Sequence, residues 1–341
     1  MMAQKKYRFV ALLVGILSCT NVFAQDPIFS QFFASPLSVN PALAGNGESD
    51  WRLVGIRRNQ WLNSGTDPLN TTSISFDGKL FKQKYNEQNY IGGGLLFLQD
   101  NGMAGAYKSS SINLAMSSHL SLDADDQNGI SFGLGGTYAN TIIDYAQLSF
   151  ASQLSSSGFN RALPTNEAYI SDIKPYISAF AGITYTYRTE RSNFDIGVAG
   201  YRFIKTNRSA LQDPNQIDPP RYNVHADYQT YLNDRLVFNA NSMFVFESNI
   251  NSYSLGFNFG NILGDADEES PTVLNTGLWY RQNEAVIPYI GLAYGNVQGG
   301  LSYDVNISNS KSSLGPLQSF EFSLIYRSPA KRANPLPCPW K

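Results

Sequence analysis

Apolar and polar residues alternate with a period of two along most of the chain. In the segment 252–260, large apolar residues alternate with small or polar ones, in the order Tyr253, Ser254, Leu255, Gly256, Phe257, Asn258, Phe259. The same pattern recurs in five further segments: 112–122, 130–138, 236–246, 301–307 and 320–326. Successive side chains of a strand point to opposite faces, so each segment has one apolar face. The pattern predicts about fourteen antiparallel strands between Trp51 and Tyr326, with 92–98 and 142–150 the least regular.

The length of these segments separates two kinds of β protein. Several are longer than the roughly 5–6 residues typical of strands in globular proteins. They match the roughly 9–11 residues that a tilted strand needs to cross a bilayer. The faces opposite the apolar ones carry Ser, Gly, Asn and Thr, which suit a barrel lumen better than bulk water. We therefore expect an all-β protein with a single antiparallel transmembrane β-barrel, rather than a soluble sandwich or jelly roll.

The composition agrees with a lipid-facing barrel. Charged residues make up 15% of the chain, whereas Tyr and Phe number 20 and 21. Beyond the N-terminal region, no apolar run approaches the roughly 20 residues of a spanning helix. An apolar outer surface with aromatic girdles is what a barrel presents to a membrane.

The first 24 residues have the features of a secretory signal peptide. A basic region (Lys5, Lys6 and Arg8) precedes the apolar segment 9–17, and Val22-Phe23-Ala24 forms a cleavage site. We expect cleavage after Ala24. An alternative is a lipobox at 16–19, which would leave a lipidated Cys19.

Charge and cysteine content exclude a nucleic-acid-binding protein and a disulfide-stabilised one. The mature chain would carry 22 basic and 27 acidic residues, a net charge of −5 that is no nucleic-acid footprint. Cys338 would be the only cysteine left after cleavage, so no intramolecular disulfide is possible.

Two segments flank the predicted barrel at 48–328. The leader, residues 25–47, begins with Asp26 and Pro27, which can cap and start a short helix. That helix would place three phenylalanines on one face and end at Ser35-Pro36; the phenylalanines are Phe29, Phe32 and Phe33. Asn40-Pro41 can start a second helical turn, with Gly45 ending it. The tail, 329–341, contains Pro329, Pro335, Pro337 and Pro339 and is not expected to form a strand.

The connections between strands offer little metal chemistry. Asp100-Asn101-Gly102, the segment 123–129 and Asn233-Asp234 are turn signals. Long loops are predicted at 152–173, 206–220 and 264–271. The last contains the acidic run Asp265, Asp267, Glu268 and Glu269, which suggests calcium, but its spacing fits no metal-binding loop. We expect a solvated loop tip and no metal site.

A search for catalytic groups finds little. The only histidines, His119 and His225, lie on polar faces of predicted strands, and Asp227 shares a face with His225. That pair could act as a base, but polar filling of the lumen is the favoured interpretation. The sequence has no nucleophile elbow, phosphate loop or paired-cysteine zinc motif. We expect no enzyme activity, no cofactor and no catalytic residue.

The chain resembles a known family, the PorP/SprF outer-membrane proteins of the type IX secretion system and its gliding machinery. The resemblance is carried by the leader, by motifs spread over nearly the whole mature chain, and by the terminal Cys338-Pro339. The leader motifs are Asp26-Pro27-Ile28-Phe29-Ser30-Gln31-Phe32 and Asn40-Pro41-Ala42-Leu43-Ala44-Gly45. The strand motifs are Arg58-Asn59-Gln60-Trp61, Ser75-Phe76-Asp77, Gly277-Leu278-Trp279-Tyr280-Arg281, Pro288-Tyr289-Ile290-Gly291-Leu292, Ser302-Tyr303-Asp304-Val305 and Phe320-Glu321-Phe322-Ser323-Leu324.

The resemblance implies an outer-membrane barrel that supports secretion or surface attachment of a partner substrate, often a large adhesin. It implies neither enzyme activity nor a cofactor, and it names no particular substrate. The alternative is an outer-membrane porin or solute channel, since a fourteen-strand barrel needs either water or a plug inside.

We hypothesise that the leader docks to a partner at the periplasmic side and couples the barrel to the secretion apparatus or its substrate. The residues assigned to this docking are Asp26, Pro27, Phe29, Phe32, Phe33, Asn40, Pro41 and Cys338. The alternative is that the leader is a plug that only completes the fold. For Cys338, a cross-link to a partner and simple packing in the tail both stay open.

Overall fold

The computed structural model describes residues 28–62, 67–82, 89–155, 158–165, 173–206, 217–248, 250–263, 271–308 and 317–329. The signal peptide, Asp26, Pro27, the acidic run at 265–269 and Cys338 lie outside these residues. None of the helices in the described part of the chain is long and apolar enough to cross a membrane.

Fourteen antiparallel strands form a closed barrel, as the period-two pattern predicted. The strands of the barrel are β1 (Trp51–Gln60), β2 (Leu69–Lys82), β3 (Tyr90–Gly102), β4 (Tyr107–Ser121), β5 (Asn128–Ile143), β8 (Tyr176–Arg188), β9 (Ser192–Tyr201), β10 (Arg221–Asn233), β11 (Leu236–Glu247), β12 (Ile250–Leu263), β13 (Thr272–Arg281), β14 (Ala285–Tyr294), β15 (Val297–Asn306) and β16 (Ser319–Arg327). Each pairs with its neighbours along the chain, and β16 closes the barrel on β1. A two-stranded hairpin of β6 (Leu154–Ser155) and β7 (Gly158–Phe159) lies in the β5–β8 connection.

The two faces of the strands differ as the sequence indicated. On β12, Phe257 faces outward and is 43% exposed, whereas Asn258 is fully buried on the lumenal side. The burial pattern alternates in the same way on β4, β5, β11 and β16. Aromatic residues on the outer face gather near the start of β1, where Trp51 packs against Phe76 and Tyr326. The barrel thus presents an apolar belt to lipid and a polar wall to its lumen.

The two rims of the barrel carry connections of different length. The chain enters β1 and leaves β16 at one rim, and the connections 144–175, 202–220 and 307–318 all lie at the other. Long loops of outer-membrane barrels face the outside and short turns face the periplasm. The rim with the long loops is therefore the extracellular one, and the rim at Trp51 and Arg327 is periplasmic.

Two details differ from the sequence-based expectation. Asp100–Gly102 belongs to β3, because the pairing with β4 continues to Gly102 and the turn follows at Met103–Gly105. The segment 142–150 adds no strand, because Asp144 accepts a hydrogen bond from Ala146 and begins a 3-10 turn. Ser35-Pro36 ends a helical turn, as predicted, because Ser35 closes the 3-10 turn at Phe32–Ala34. Pro36 then begins the next turn.

The leader consists of three short turns. They are a 3-10 turn at Phe32–Ala34, one α-helical turn at Pro36–Val39 and a 3-10 turn at Pro41–Leu43. Pro36 occupies the first position of its turn, where a missing N–H costs nothing. Asn40 caps the third turn through Ala42 N, as predicted, and Gly45 follows in a left-handed conformation with φ +67°. The leader is compact and lies inside the barrel.

Candidate functional site

The candidate site is the lumen, where the described part of the leader crosses from one half of the barrel to the other. Its first contacts are with four charged side chains that lie near the extracellular ends of their strands: Arg58, Arg281, Asp304 and Glu321. The backbone N–H groups of Ser30 and Gln31 donate to the two carboxylate oxygens of Glu321 at 2.9 and 2.8 Å. This places the start of the described leader in the extracellular half of the lumen.

The side chains of Ser30 and Gln31 complete this first contact. Ser30 Oγ donates to Asp304 at 2.7 Å and accepts from Arg281 Nη2 at 2.7 Å. Gln31 Nε2 donates to Glu321 O at 3.0 Å, and Gln31 Oε1 accepts from Ser323 Oγ at 2.6 Å. Arg58 donates to the carbonyl oxygen of Ile28. Nearly every polar group of these leader residues therefore has a partner on the wall.

The four charges balance one another. Arg58 and Arg281 both form ion pairs with Asp304, at 3.0 and 3.2 Å, and Arg58 lies 3.9 Å from Glu321. The side chains are at most 5% exposed. Removing one member of such a buried cluster destabilises a protein by about 3–5 kcal/mol, because the remaining charge loses its partner. The cluster holds the leader through neutral Ser and backbone groups without adding net charge to the lumen.

Aromatic packing follows immediately along the leader. The ring of Phe33 lies 4.7 Å from that of Trp279 and 5.5 Å from that of Tyr289, measured between centroids. Phe29 and Phe32 belong to the same buried cluster. Trp279 itself is held by a hydrogen bond of 2.6 Å from Nε1 to Asn241 Oδ1. The three phenylalanines are thus covered by the barrel wall.

Asn40 makes the second polar contact, on the opposite wall. Its Nδ2 lies 3.1 Å from both Ile183 O and Thr184 Oγ1 and 3.2 Å from Val198 O. His225 Nε2 lies 3.1 Å from the same nitrogen. Asn40 is fully buried, and its amide satisfies both the wall of β8–β10 and the turn that it caps.

The third contact lies at the periplasmic end of the leader. Ala44 O accepts from Ser117 Oγ at 2.7 Å and lies 2.9 Å from His119 Nε2. Gly45 N donates to Asp77 Oδ2 at 2.9 Å, and Arg52 holds that carboxylate with two further bonds.

Arg188 Nη2 donates to Asn46 Oδ1 at 2.9 Å, one residue further along the leader. From Ser30 to Asn46 the leader is therefore attached to strands all around the barrel.

Glycines of the wall make room for the leader. A Cβ atom on Gly133 would lie 2.2 Å from Ala42 N, and one on Gly182 would lie 2.1 Å from Asn40 Oδ1. A Cβ on Gly92 would lie 2.2 Å from Ala44 O. Real Cβ contacts are not this short, so the backbone of the leader approaches the wall as closely as only glycine permits.

The structure brings most of the predicted docking residues into the lumen. Phe29, Phe32, Phe33, Asn40 and Pro41 are all buried there, and the phenylalanines lie toward the extracellular half rather than at the periplasmic mouth. This position matches the plug alternative. Docking of the leader to a partner stays a hypothesis.

Both histidines and Asp227 face inward, as the sequence suggested. His119 and His225 each contact the leader, at Ala44 and Asn40 respectively. Cross-strand pairing places Asp227 opposite Asn241 and Asp195. Within the described residues, no group of three His, Cys, Asp or Glu side chains could hold a metal ion.

The charged cluster at Ser30 is the part of the site that sequence reasoning missed. Each member lies in a motif that carried the family resemblance: Arg58, Arg281, Asp304 and Glu321. A usable signal was present for Asp304 and Glu321, because each is a charged residue on a strand face whose neighbouring side chains are small. Two are basic and two acidic, which is the balance expected of groups that meet in a buried place.

A pocket lies beside the leader in the lumen. Phe32, Phe33 and Val39 of the leader line one side, and Asp195 and His225 line the other. The pocket is a part of the lumen that the leader does not fill.

Comparisons with solved structures identify the fold. A deletion mutant of TodX, a monoaromatic hydrocarbon channel, aligns with a TM-score of 0.51 at 10% identity, covering 86% of this chain and 94% of that one. A second TodX deletion mutant gives 0.50 at 9% identity, with 88% and 94% covered. The Ralstonia pickettii toluene transporter TbuX gives 0.49 at 11% identity, with 86% and 93% covered. At such identities the two TodX alignments show a barrel fold alone.

No curated protein matches the sequence significantly. The family model described as type IX secretion system membrane protein PorP/SprF, by contrast, matches residues 21–326. That match covers most of the chain, and the closed barrel agrees with an outer-membrane location. The chain belongs to the PorP/SprF family and is an outer-membrane component of the type IX secretion system.

Proposed function

We propose that this barrel supports the secretion or surface attachment of a partner polypeptide, such as a large adhesin, and that the leader couples the barrel to that partner. The observation that supports it is the occupation of the lumen by the leader from Ser30 to Asn46. A barrel built to pass solutes needs a free cross-section, and fourteen strands would provide one only without this segment.

The way in which the leader is held supports a coupling role. Hydrogen bonds hold the leader at three separate places, around Ser30, Asn40 and Ala44. Each contact joins it to a different set of strands. A force or a binding event at one rim would therefore be transmitted to the other along a continuous segment. The partners that fit this role are components of the secretion apparatus and its exported substrate.

The test compares the surface proteins of cells with and without this barrel. In a deletion strain, surface biotinylation followed by mass spectrometry should show the loss of one or a few large exported proteins. Entry of small solutes should stay unchanged. A normal surface proteome in the deletion strain would contradict the proposed function.

Complementation then tests the leader. The Asn40→Ala variant removes the second contact, and Asn251→Ala on the outer face is its matched control, since Asn251 is exposed. If the leader couples the barrel to its partner, N40A enters the outer membrane but does not restore the lost surface proteins, while N251A restores them. If N40A is not assembled, the leader serves only to complete the fold. Full restoration by N40A would contradict coupling through this contact.

A solute channel is the second candidate function, and the pocket beside Phe32 and Phe33 favours it. Its apolar side suits a small aromatic compound. This function predicts the opposite result in the same strain. Uptake of a probe such as toluene would fall on deletion, and the surface proteome would stay normal.

A further inference from the structure

The outward face of the barrel changes character at the extracellular ends of β1–β4. A row of four cross-strand neighbours there consists of Arg57, Thr72, Gln99 and Ser110. All four share the outward face with lipid-facing residues such as Ile74 and Leu114. A polar row on this face is unexpected, because the outer face of a barrel within the membrane is apolar.

A second polar row lies one step closer to the rim. Asn59, Asn70, Asn101 and Lys108 are neighbours across the same four strands. The two rows together form a continuous surface, which we call the outer polar patch. Every position of the patch lies within four residues of the extracellular end of its strand.

The outer polar patch is confined to one sector of the barrel. On the adjoining β16, the cross-strand neighbours of Arg57 and Asn59 are Phe322 and Phe320, which are exposed apolar residues. On β15, Val305 continues the apolar outer face to the extracellular end of the strand. On the other side, Lys108 pairs with the exposed Ile142 of β5, whereas Ser110 pairs with Asn140, so the first row ends one strand further on. The patch is therefore a local feature and not a uniform upper edge of the lipid-facing belt.

The charge of the patch has one sign. Arg57 and Lys108 are exposed, and none of the eight residues is acidic. Arg57 Nη1 donates to Thr72 Oγ1 at 2.8 Å, which directs its guanidinium along the surface of the sheet. Asp100 lies between Gln99 and Asn101 but faces the lumen, where it accepts a hydrogen bond from Thr71. The patch thus offers two cations surrounded by amide and hydroxyl groups.

The level of the patch along the barrel axis indicates which part of the membrane it contacts. Trp61 follows β1 directly and is 42% exposed, as is common for aromatic residues at a membrane interface. Arg57 and Asn59 precede Trp61 by four and two residues, which is the level expected for the lipid headgroups of the outer leaflet. A guanidinium or an ammonium in this position is favourable when an anionic group is within reach.

We propose that the outer polar patch binds the anionic headgroup of an outer-leaflet lipid, with a phosphate as the recognised group. Arg57 provides the planar donor pair that matches phosphate oxygens, and Lys108 provides a second point charge. The neighbouring amides and hydroxyls, such as Asn101 and Ser110, suit the remaining oxygens and the sugar hydroxyls of a glycolipid. This inference stands independently of the proposed function.

The test uses the purified full-length barrel and native mass spectrometry in detergent supplemented with bisphosphorylated lipid A. Wild type should retain the lipid as an adduct, and the double variant Arg57→Gln/Lys108→Gln should bind it at least about fivefold more weakly. Arg57→Lys keeps the charge and should retain most of the binding. The matched control is Arg191→Gln/Arg235→Gln, which removes two exposed arginines at the periplasmic rim.

Two further measurements complete the design. Dephosphorylated lipid A should bind wild type no better than the intact lipid binds R57Q/K108Q. Heat-modifiable migration on gels should show that each variant is folded. Equal adducts in wild type and a folded R57Q/K108Q would overturn the proposal, as would equal binding of the dephosphorylated lipid. If R57Q/K108Q retains the lipid but loses a secretion protein that co-purifies with wild type, the patch binds a protein partner. That result would also overturn the proposal.

Discussion

At the scale of single residues, the lumen is defined by a few polar side chains that meet the leader from opposite walls. Asn40 shows how much one such residue can do, because its amide nitrogen contacts β8, β9 and β10 and its amide oxygen caps the following turn. An unsatisfied buried polar group destabilises a protein by about 1–3 kcal/mol. Residues of this kind set the position of the leader more narrowly than its phenylalanines, which any apolar surface would accommodate.

The Asn40→Ala substitution should therefore loosen the leader while the barrel remains closed. We expect a loss of about 1–3 kcal/mol in the free energy of unfolding and faster cleavage of the leader by an added protease. Limited proteolysis in detergent, read by mass spectrometry, measures the second effect. Asn251→Ala should match wild type. Equal protection of the leader in N40A would mean that Asn40 does not hold it.

Two glycine substitutions test the close approach of the leader to the wall. At Gly133 an added Cβ would lie 2.2 Å from Ala42 N, whereas at Gly299 nothing lies within 4 Å of it. Gly133→Ala should displace the turn at Pro41–Leu43 and increase amide hydrogen exchange there. Gly299→Ala should leave exchange unchanged. The account of the wall glycines fails if the two variants behave alike.

At the scale of elements, the sequence predicted the strands far better than the leader. The period of two identified the barrel and its two faces because each strand buries one side regardless of its partners. The leader has no such period, and its place depends on contacts such as Ser30 to Asp304, which are 274 residues apart. Only the order of the strands around the barrel brings these residues together.

The lipid-facing side of β12 provides a test at this scale. Phe257→Arg should destabilise the barrel by about 2–4 kcal/mol, because it places a charge near the middle of the bilayer. Leu263→Arg, on the same face at the end of the strand, should have an effect of about 0–1 kcal/mol. Urea unfolding in lipid vesicles measures both. Similar losses would contradict the assigned depth.

The neighbouring lumenal position, Asn258, is a poorer control for Phe257. An open lumen would tolerate an arginine there better than lipid tolerates one at Phe257. The structure shows Asn258 fully buried, with Nδ2 donating to Asn275 Oδ1 at 3.1 Å. An arginine there has no room, so Leu263 is the better control.

At the scale of the whole molecule, the barrel and the leader form one unit. The wall supplies a balanced charge cluster near the extracellular end, amide and imidazole groups in the middle, and an Arg52–Asp77 pair near the periplasmic end. The leader connects these three levels in order. An outer-membrane secretion component with a filled lumen is better suited to holding or coupling partners than to free diffusion of solutes.

The most direct test of this account is amide hydrogen exchange of the intact protein in lipid nanodiscs, followed by mass spectrometry. Peptides that cover 30–45 should exchange as slowly as the barrel strands, because Ser30 and Gln31 donate to Glu321 and Gly45 donates to Asp77 in a buried lumen. Peptides from the extracellular connection at 144–165 should exchange rapidly and serve as the internal reference. If residues 30–45 exchange as fast as that connection, the leader does not occupy the lumen, and the central claim is contradicted.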